Sequence, residues 1–391
     1  MTFKLTYSTM FDPPEELHAR FEAALGRVRA KLGARHDHFI GGADRPARSY
    51  RELRSPIDRE LLLGSFAEGT VEDAAAAMDV AYTAWPEWRG TPPAERSRIL
   101  RRAGDLIEER VYDIAAAVAL EVGKNRMEAL GEVQETAEFF RCYCDEYERQ
   151  GNFDHTLPDD PLKGYRSRNR SVMKPHGAWI VIAPFNFPFA LAGGPAAAAL
   201  VTGNTVVLKG ATDTPWAGRL LADCLRDAGV PAGVFNYVLG PGGRVGQALL
   251  DHPRAAGVTF TGSHEIGMKI LRQFSGGRVP RPCVAEMGGK NPVIVTAKAD
   301  LERAAIGIVR SAFGMGGQKC SALSRIYVES PAADALIGRL AGAVRALRIG
   351  DPTVRENWLG PLISESARDN CRRYVAELES GGARVVATAA L

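Results

Sequence analysis

A cysteine in a glycine-rich, polar stretch is the first group in this sequence equipped for covalent chemistry. Cys320 follows Gly314-Met-Gly-Gly-Gln-Lys319 and precedes Ser321-Ala-Leu-Ser-Arg325. Glycines allow close approach of a substrate, polar and cationic neighbours favour a thiolate, and cysteine is intrinsically the best of the common nucleophiles. A small buried hydrophobe is the alternative for any cysteine, and it is the reading that suits the other five. Glu286, in Val284-Ala-Glu-Met-Gly-Gly-Lys-Asn-Pro292, ends an apolar run before two glycines, a setting that suits a carboxylate to general-base work. Asn186 stands in Ala183-Pro-Phe-Asn-Phe-Pro-Phe189. Prolines and rings on both sides would hold its amide in one place, as a donor to a developing oxyanion must be held; otherwise it is a turn asparagine in an aromatic cluster.

Other groups suit a nucleotide. Lys209 ends the run Thr205 to Leu208, within reach of a ribose or phosphate, or else is a surface lysine. Leu239-Gly-Pro-Gly-Gly-Arg-Val-Gly246 and Phe260-Thr-Gly-Ser263 each follow an apparent strand and precede a helix. The first lacks the Gly-x-Gly-x-x-Gly spacing of a dinucleotide loop. In the second, Ser263 is either a plain helix cap or part of an anion-binding turn. Two such turns on successive strand ends favour a nucleotide.

These groups need a scaffold. Residues 71–88, 94–121 and 128–148 carry apolar positions in helical rhythm. Gly, Asp and Pro then break the pattern over 151–161, and a turn or hairpin leads into the polar, β-compatible segment 165–172. From 178 short apolar runs alternate with helical segments, the signature of βαβ units around a parallel sheet, whose ligands bind at the carboxyl ends of the strands. A further cycle begins at 292, and a last helix over 366–378 precedes a segment, 385–391, that reads as the start of a strand.

Composition narrows the class. The 391 residues allow two or three domains, and 46% hydrophobic with 24% charged residues is the balance of a globular protein. A formal charge of +3 leaves no nucleic-acid footprint. The longest apolar stretch, 190–201, is interrupted by Gly193, Gly194 and Pro195 and is too short for a bilayer. No secretory signal is visible, so a cytoplasmic location is expected. The six cysteines include no Cys-x-x-Cys pair, and no metal site is expected.

Taken together, Pro-Phe-Asn-Phe-Pro at 184–188, Lys209 after a strand, Phe-Thr-Gly-Ser at 260–263, Glu-x-Gly-Gly-Lys-Asn-Pro at 286–292 and Gly-Gln-Lys-Cys at 317–320 closely resemble the aldehyde dehydrogenase superfamily. The resemblance runs from about residue 67 to the end of the sequence. It implies an α/β fold with an N-terminal extension over 1–66, a Rossmann-type parallel-sheet cofactor domain over 67–285 with an oligomerisation-type hairpin near 151–172, and an α/β catalytic domain over 286–391 that is expected to be incomplete at its C-terminal end. It also implies that Cys320 attacks the aldehyde, that Asn186 and the Cys320 backbone N–H hold the oxyanion, and that Glu286 activates the hydrolytic water. Phe185, Lys209, Thr212, Gly243, Ser263 and Gly267 would line the cofactor path. NAD is the favoured cofactor. Thr212 replaces the glutamate that many NAD-using members carry three residues after the lysine, which leaves NADP open.

The run 317–325 and Glu-x-x-x-Phe-Phe-Arg at 135–141 resemble the branch that oxidises glutamate γ-semialdehyde, the hydrolysed form of 1-pyrroline-5-carboxylate, in proline or arginine breakdown. By that resemblance Ser321 would meet the substrate carboxylate and amine, and Glu135 would face its ammonium, although an exposed helical glutamate is the plainer reading of Glu135. Two other readings stand beside this one. Another semialdehyde, such as succinate semialdehyde, is a possible substrate. Alternatively the chain is a truncated, inactive fragment or a binding subunit, since the Glu-x-Phe-Gly-Pro segment, the substrate-anchoring loop and the oligomer-forming tail strand of related homo-oligomeric enzymes are not found in it.

Overall fold

The computed structural model describes residues 13–390. Helix α1 (Glu15–Arg29) buries Leu17, Phe21, Ala24 and Val28, spaced as one helical face. Five short strands follow: β1 (Ala34–His36), β2 (His38–Ile40), β3 (Ala43–Arg45), β4 (Tyr50–Arg54) and β5 (Leu62–Ala67). Helix α2 (Val71–Gly90) starts at a reciprocal Thr70–Asp73 capping box. The segment expected as one helix over 94–121 is two, α3 (Pro93–Glu109) and α4 (Val111–Val122), because the chain turns at Arg110 with φ −102° and ψ 10°. That turn lets α3 pack on α5 (Arg126–Arg149) while α4 packs on both α1 and α5. A hairpin then pairs β6 (Asp154–Thr156) with β7 (Arg170–Val172). The strand expected over 165–172 is shortened to three residues, since its partner offers only three.

The alternating region forms β8 (Ala178–Ile182), α6 (Ala190–Val201), β9 (Thr205–Lys209), α7 (Pro215–Asp227), β10 (Phe235–Val238), α8 (Gln247–Asp251), β11 (Ala255–Gly262), α9 (His264–Ser275) and β12 (Cys283–Met287). The sheet order is β12-β11-β8-β9-β10-β2-β3, with the five strands from β12 to β10 parallel. Helices cover both faces, so every residue of β9 is buried, as its unbroken apolar run requires. Residues 38–45 were expected in a separate extension; instead β2 and β3 add antiparallel to β10 and complete one edge of this sheet. His38 Nδ1 accepts the Leu239 N–H at 3.1 Å and ties that edge to the β10 loop. At the other edge is β12, which carries Glu286, so the expected boundary at 286 falls inside a strand of the large sheet.

A smaller unit follows. Strands β13 (Asn291–Val295) and β14 (Leu323–Val328) run parallel, joined through α10 (Leu301–Phe313) and followed by α11 (Ser330–Arg345). Val295, Ala305, Ile308, Leu323 and Leu336 form its core. Helix α12 (Glu365–Ser380) is the last element. Residues 385–390, expected to begin a strand, have no bridge partner among the described residues and stay irregular; Leu391 lies outside them. No helix among the described residues is long and apolar enough to cross a membrane.

Candidate active site

The parallel strands deliver the sequence-identified groups to one edge. The carboxyl end of β8 runs into the Asn186 loop, β9 ends on Lys209, β10 leads to 239–246, β11 to Ser263, and Glu286 is the next-to-last residue of β12. The registers Ile182↔Lys209 and Thr261↔Glu286 keep these ends level. The chain leaves β8 towards β9 and β10, then returns to β11 on the other side, so the strand order reverses between β8 and β11. A crevice at such a reversal is where open α/β sheets bind ligands.

The Asn186 side chain is tied to the turn that bears Cys320. Asn186 Nδ2 donates to the Gln318 carbonyl at 2.8 Å, which leaves its second N–H for another acceptor. Cys320 itself is exposed. The turn that presents it has three consecutive residues in the left-handed region, Met315 (φ 55°), Gly316 (φ 65°) and Gly317 (φ 75°). Glycine takes this conformation without steric cost, which explains the two glycines; Met315 pays for it in strain and is held there by burial. Gln318 locks the turn, donating from Nε2 to the Met315 carbonyl at 3.0 Å and accepting the Ile363 N–H at 3.1 Å. From the start of β13, Asn291 Nδ2 donates to the Cys320 carbonyl at 2.9 Å and to that of Ala322 at 3.1 Å.

Glu286 ends the apolar run of β12 on its exposed side. It is exposed on an edge strand and lines a cleft of about 500 Å³ with Phe139, Tyr143, Trp179, Leu191 and Thr261, a lining that includes neither Asn186 nor Cys320. Its link to the cysteine runs through the following loop, where a Cβ on Gly289 would lie 3.3 Å from the Cys320 carbonyl oxygen. Ser321 is exposed beside Cys320, and Glu135 is half-buried on α5 rather than exposed.

Among the nucleotide candidates, Lys209 departs most from an ordinary surface residue. It is 4% exposed, and burial lowers its pKa to about 8. It forms no ion pair or side-chain hydrogen bond among the described residues, so its ammonium is available to an anion or a ribose hydroxyl. Thr212 Oγ1 donates to the Gly240 carbonyl at 3.4 Å, and the guanidinium of Arg51 on β4 reaches the Thr212 carbonyl. Gly243 is exposed in a π-helical turn over Gly242–Gly246, where a helix was expected from Arg244. Ser263 is the N-cap of α9, its Oγ accepting the Ile266 N–H at 3.4 Å. Gly267 has a packing reason to be glycine, since a Cβ there would lie 2.6 Å from Met287 Sδ. Phe185 is half-buried against the large core.

A buried ammonium with no ion pair among the described residues is a cost retained in the fold, and the charge of Asp213 offsets it only in part. At pH 7 Lys209 is protonated in both folded and unfolded chains, and the folded state bears a penalty of about 3 kcal/mol. As pH rises from about 8 towards 10.5 the folded lysine is neutral while the unfolded one is still charged, so stability rises over that window. Lys209→Met is therefore expected to raise the unfolding free energy at pH 7, with the gain shrinking towards pH 10.5, as denaturant melts at the two pH values would show.

Three residues at this site were not identified from the sequence. Lys319, counted as a cation favouring the thiolate, is ion-paired with Glu128 on α5. One turn further along α5, Glu132 pairs with Lys124, and both side chains have no exposure. The available signal was the four-residue spacing of Glu128 and Glu132, which sets both carboxylates on one helix face. No cluster of three or more metal-binding side chains occurs among the described residues.

A doubly wound sheet with a buried lysine at its carboxyl edge, set beside a glycine-presented cysteine and a tethered asparagine, defines a nucleotide-type α/β fold with a covalent-chemistry site. The chain belongs to the aldehyde dehydrogenase family, whose model matches residues 44–390, and it is an oxidoreductase of that family. It is 36% identical over 359 residues to a 1-pyrroline-5-carboxylate dehydrogenase of Geobacillus sp. (strain WCH70), covering 91% of this chain and 69% of that protein. Among solved structures it is similar to 1-pyrroline-5-carboxylate dehydrogenase from Thermus with bound NAD, with a TM-score of 0.89 and 32% identity over 96% of this chain and 72% of that one. An NADP-dependent enzyme of E. coli aligns with a TM-score of 0.85 and 35% identity, covering 90% and 72% of the two chains.

Proposed function

We propose that this protein oxidises L-glutamate γ-semialdehyde, the open form of 1-pyrroline-5-carboxylate, to L-glutamate with NAD, in proline or arginine breakdown. The observation that carries the reading is the Asn186–Gln318 contact, which sets a donor amide beside the turn bearing Cys320. The Cys320 thiolate adds to the aldehyde carbon, forming a C–S bond while the carbonyl electrons move to oxygen. The free N–H of Asn186 and the Cys320 backbone N–H hold that oxyanion. The nicotinamide supplies the acceptor for the hydride that leaves the carbon as C=O re-forms. Glu286 then takes a proton from water, water adds to the thioester carbon, and the Cys320 thiolate departs. Ser321 and Glu135 contact the substrate's polar end. Lys209, with Phe185, Thr212, Gly243, Ser263 and Gly267 around it, forms the cofactor side.

The buried ammonium of Lys209 supports an anionic or ribose ligand there. Arg51 beside Thr212 adds a cation where a 2′-phosphate would fit, so NADP is a specific second reading. The exposed β6–β7 hairpin is the proposed self-association element.

The test is reduced-cofactor formation with pyrroline-5-carboxylate and NAD, run against succinate semialdehyde and against NADP. Turnover of succinate semialdehyde in preference to pyrroline-5-carboxylate would replace the substrate assignment, and no turnover with any aldehyde would end the reading. Glu286→Gln is expected to retain one stoichiometric burst of reduced cofactor and then turn over about 10² to 10⁴-fold more slowly, because only thioester hydrolysis needs the base. A lost burst in rapid-mixing kinetics would place Glu286 elsewhere in the reaction.

A further inference from the structure

We infer that Lys124 and Glu132 are positioning residues, a buried ion pair that fixes the Asn186 loop and so the geometry between the oxyanion donor and Cys320. The inference rests on the reading of Asn186 and Cys320 given above. Glu132 uses both carboxylate oxygens. Its Oε2 lies 2.5 Å from Lys124 Nζ, while Oε1 accepts the N–H groups of Phe189 and Ala190 at 2.9 and 3.2 Å, capping the start of α6 as the chain leaves the loop. Lys124 Nζ lies 3.5 Å from the centroid of Phe187, the residue after Asn186. At the loop's entrance the Ala183 N–H donates to the Lys209 carbonyl at 3.1 Å. Residues 184–187 are thus pinned at both ends, with one ring seated on an ammonium.

Stability alone does not account for such a pair. Two fully buried charges lose their hydration, and a neutral, similarly sized replacement is often as stable or more so. What the pair supplies is a fixed arrangement. The same helix also holds the other loop, because Glu128, one turn before Glu132, takes the ammonium of Lys319, the residue preceding Cys320. One face of α5 therefore ties down both the donor amide and the nucleophile. A displacement of about 1 Å in such a geometry costs on the order of 10²-fold in rate.

The experiment compares two reactions of Cys320 in the full chain without cofactor. Acylation by p-nitrophenyl acetate creates an oxyanion and needs the donor; alkylation by iodoacetamide creates none. Glu132→Gln, and the charge-free double variant K124M/E132Q, are expected to slow acylation about 10 to 100-fold and leave alkylation unchanged. The double variant guards against the unpaired buried lysine that the single one leaves, and thermal melts confirm folding. Equal slowing of both reactions, or of neither, would overturn the positioning role while leaving the reading of the site intact. Wild-type chain that is alkylated at Cys320 but never acylated would overturn both.

Discussion

Cys320→Ala is expected to lower oxidation of the aldehyde by at least about 10⁴-fold while leaving dinucleotide binding and the melting temperature unchanged. In the proposed mechanism Cys320 is the group that bonds to substrate, and an enzyme without its nucleophile retains only the rate that binding and electrostatics provide. The unchanged stability follows from exposure: Cys320 Sγ is at the surface, so its loss leaves no cavity. Calorimetric titration with NAD alongside the activity assay separates the two effects. A Cys320→Ala protein that keeps more than a tenth of the wild-type activity would show that another group forms the bond to substrate. Of the other five cysteines, Cys144 and Cys224 are poor substitutes, since burial pushes their thiols up to about 11; Cys142 and Cys371 are exposed, contrary to the buried reading their residue type suggested.

Asn186→Ala should cost about 10² to 10³-fold in kcat, the usual price of one oxyanion donor, with little change in KM. In the proposed mechanism the amide stabilises charge that develops only as the thiolate adds, so its loss would fall on the transition state. The variant also loses the bond to Gln318, which is held independently through the Met315 carbonyl and the Ile363 N–H. Iodoacetamide alkylation of Cys320 should thus proceed at the wild-type rate. Loss of reactivity towards both aldehyde and iodoacetamide would mean that Asn186 acts by supporting the cysteine turn, and a rise in KM with unchanged kcat would make it a binding group.

Much of this fold was legible locally. The runs over 178–182, 205–209 and 235–238 are short, apolar and separated by helical segments, so a parallel sheet followed from periodicity and turn residues. Gly316 and Gly317 likewise encode a left-handed turn through their own conformational freedom. Less legible was anything that depended on distant partners. Residues 38–45 carry no βαβ signature, and only the unpaired edge of β10 makes them part of the large sheet. The break at Arg110 interrupts a helical pattern that was continuous in sequence, and packing against two different neighbours accounts for it.

The candidate site divides in the same way. By itself the sequence determined which reactive groups the chain has and in what order they end successive strands: Asn186, Lys209, Ser263, Glu286, then Cys320 in its glycine-rich turn. Residue type and local spacing set those properties, and they also sufficed to point to the family. Only the tertiary structure decided the electrostatic state of these groups. Lys209 became a buried ammonium, with no ion pair among the described residues, because helices close over both faces of β9. Lys319 lost its free charge to Glu128, a residue 191 positions away, and Glu132 became a brace for the Asn186 loop from a helix that precedes it by a hairpin and one strand. Charge and burial depend on every neighbour in space, and at such separations the neighbours are chosen by packing rather than by pattern.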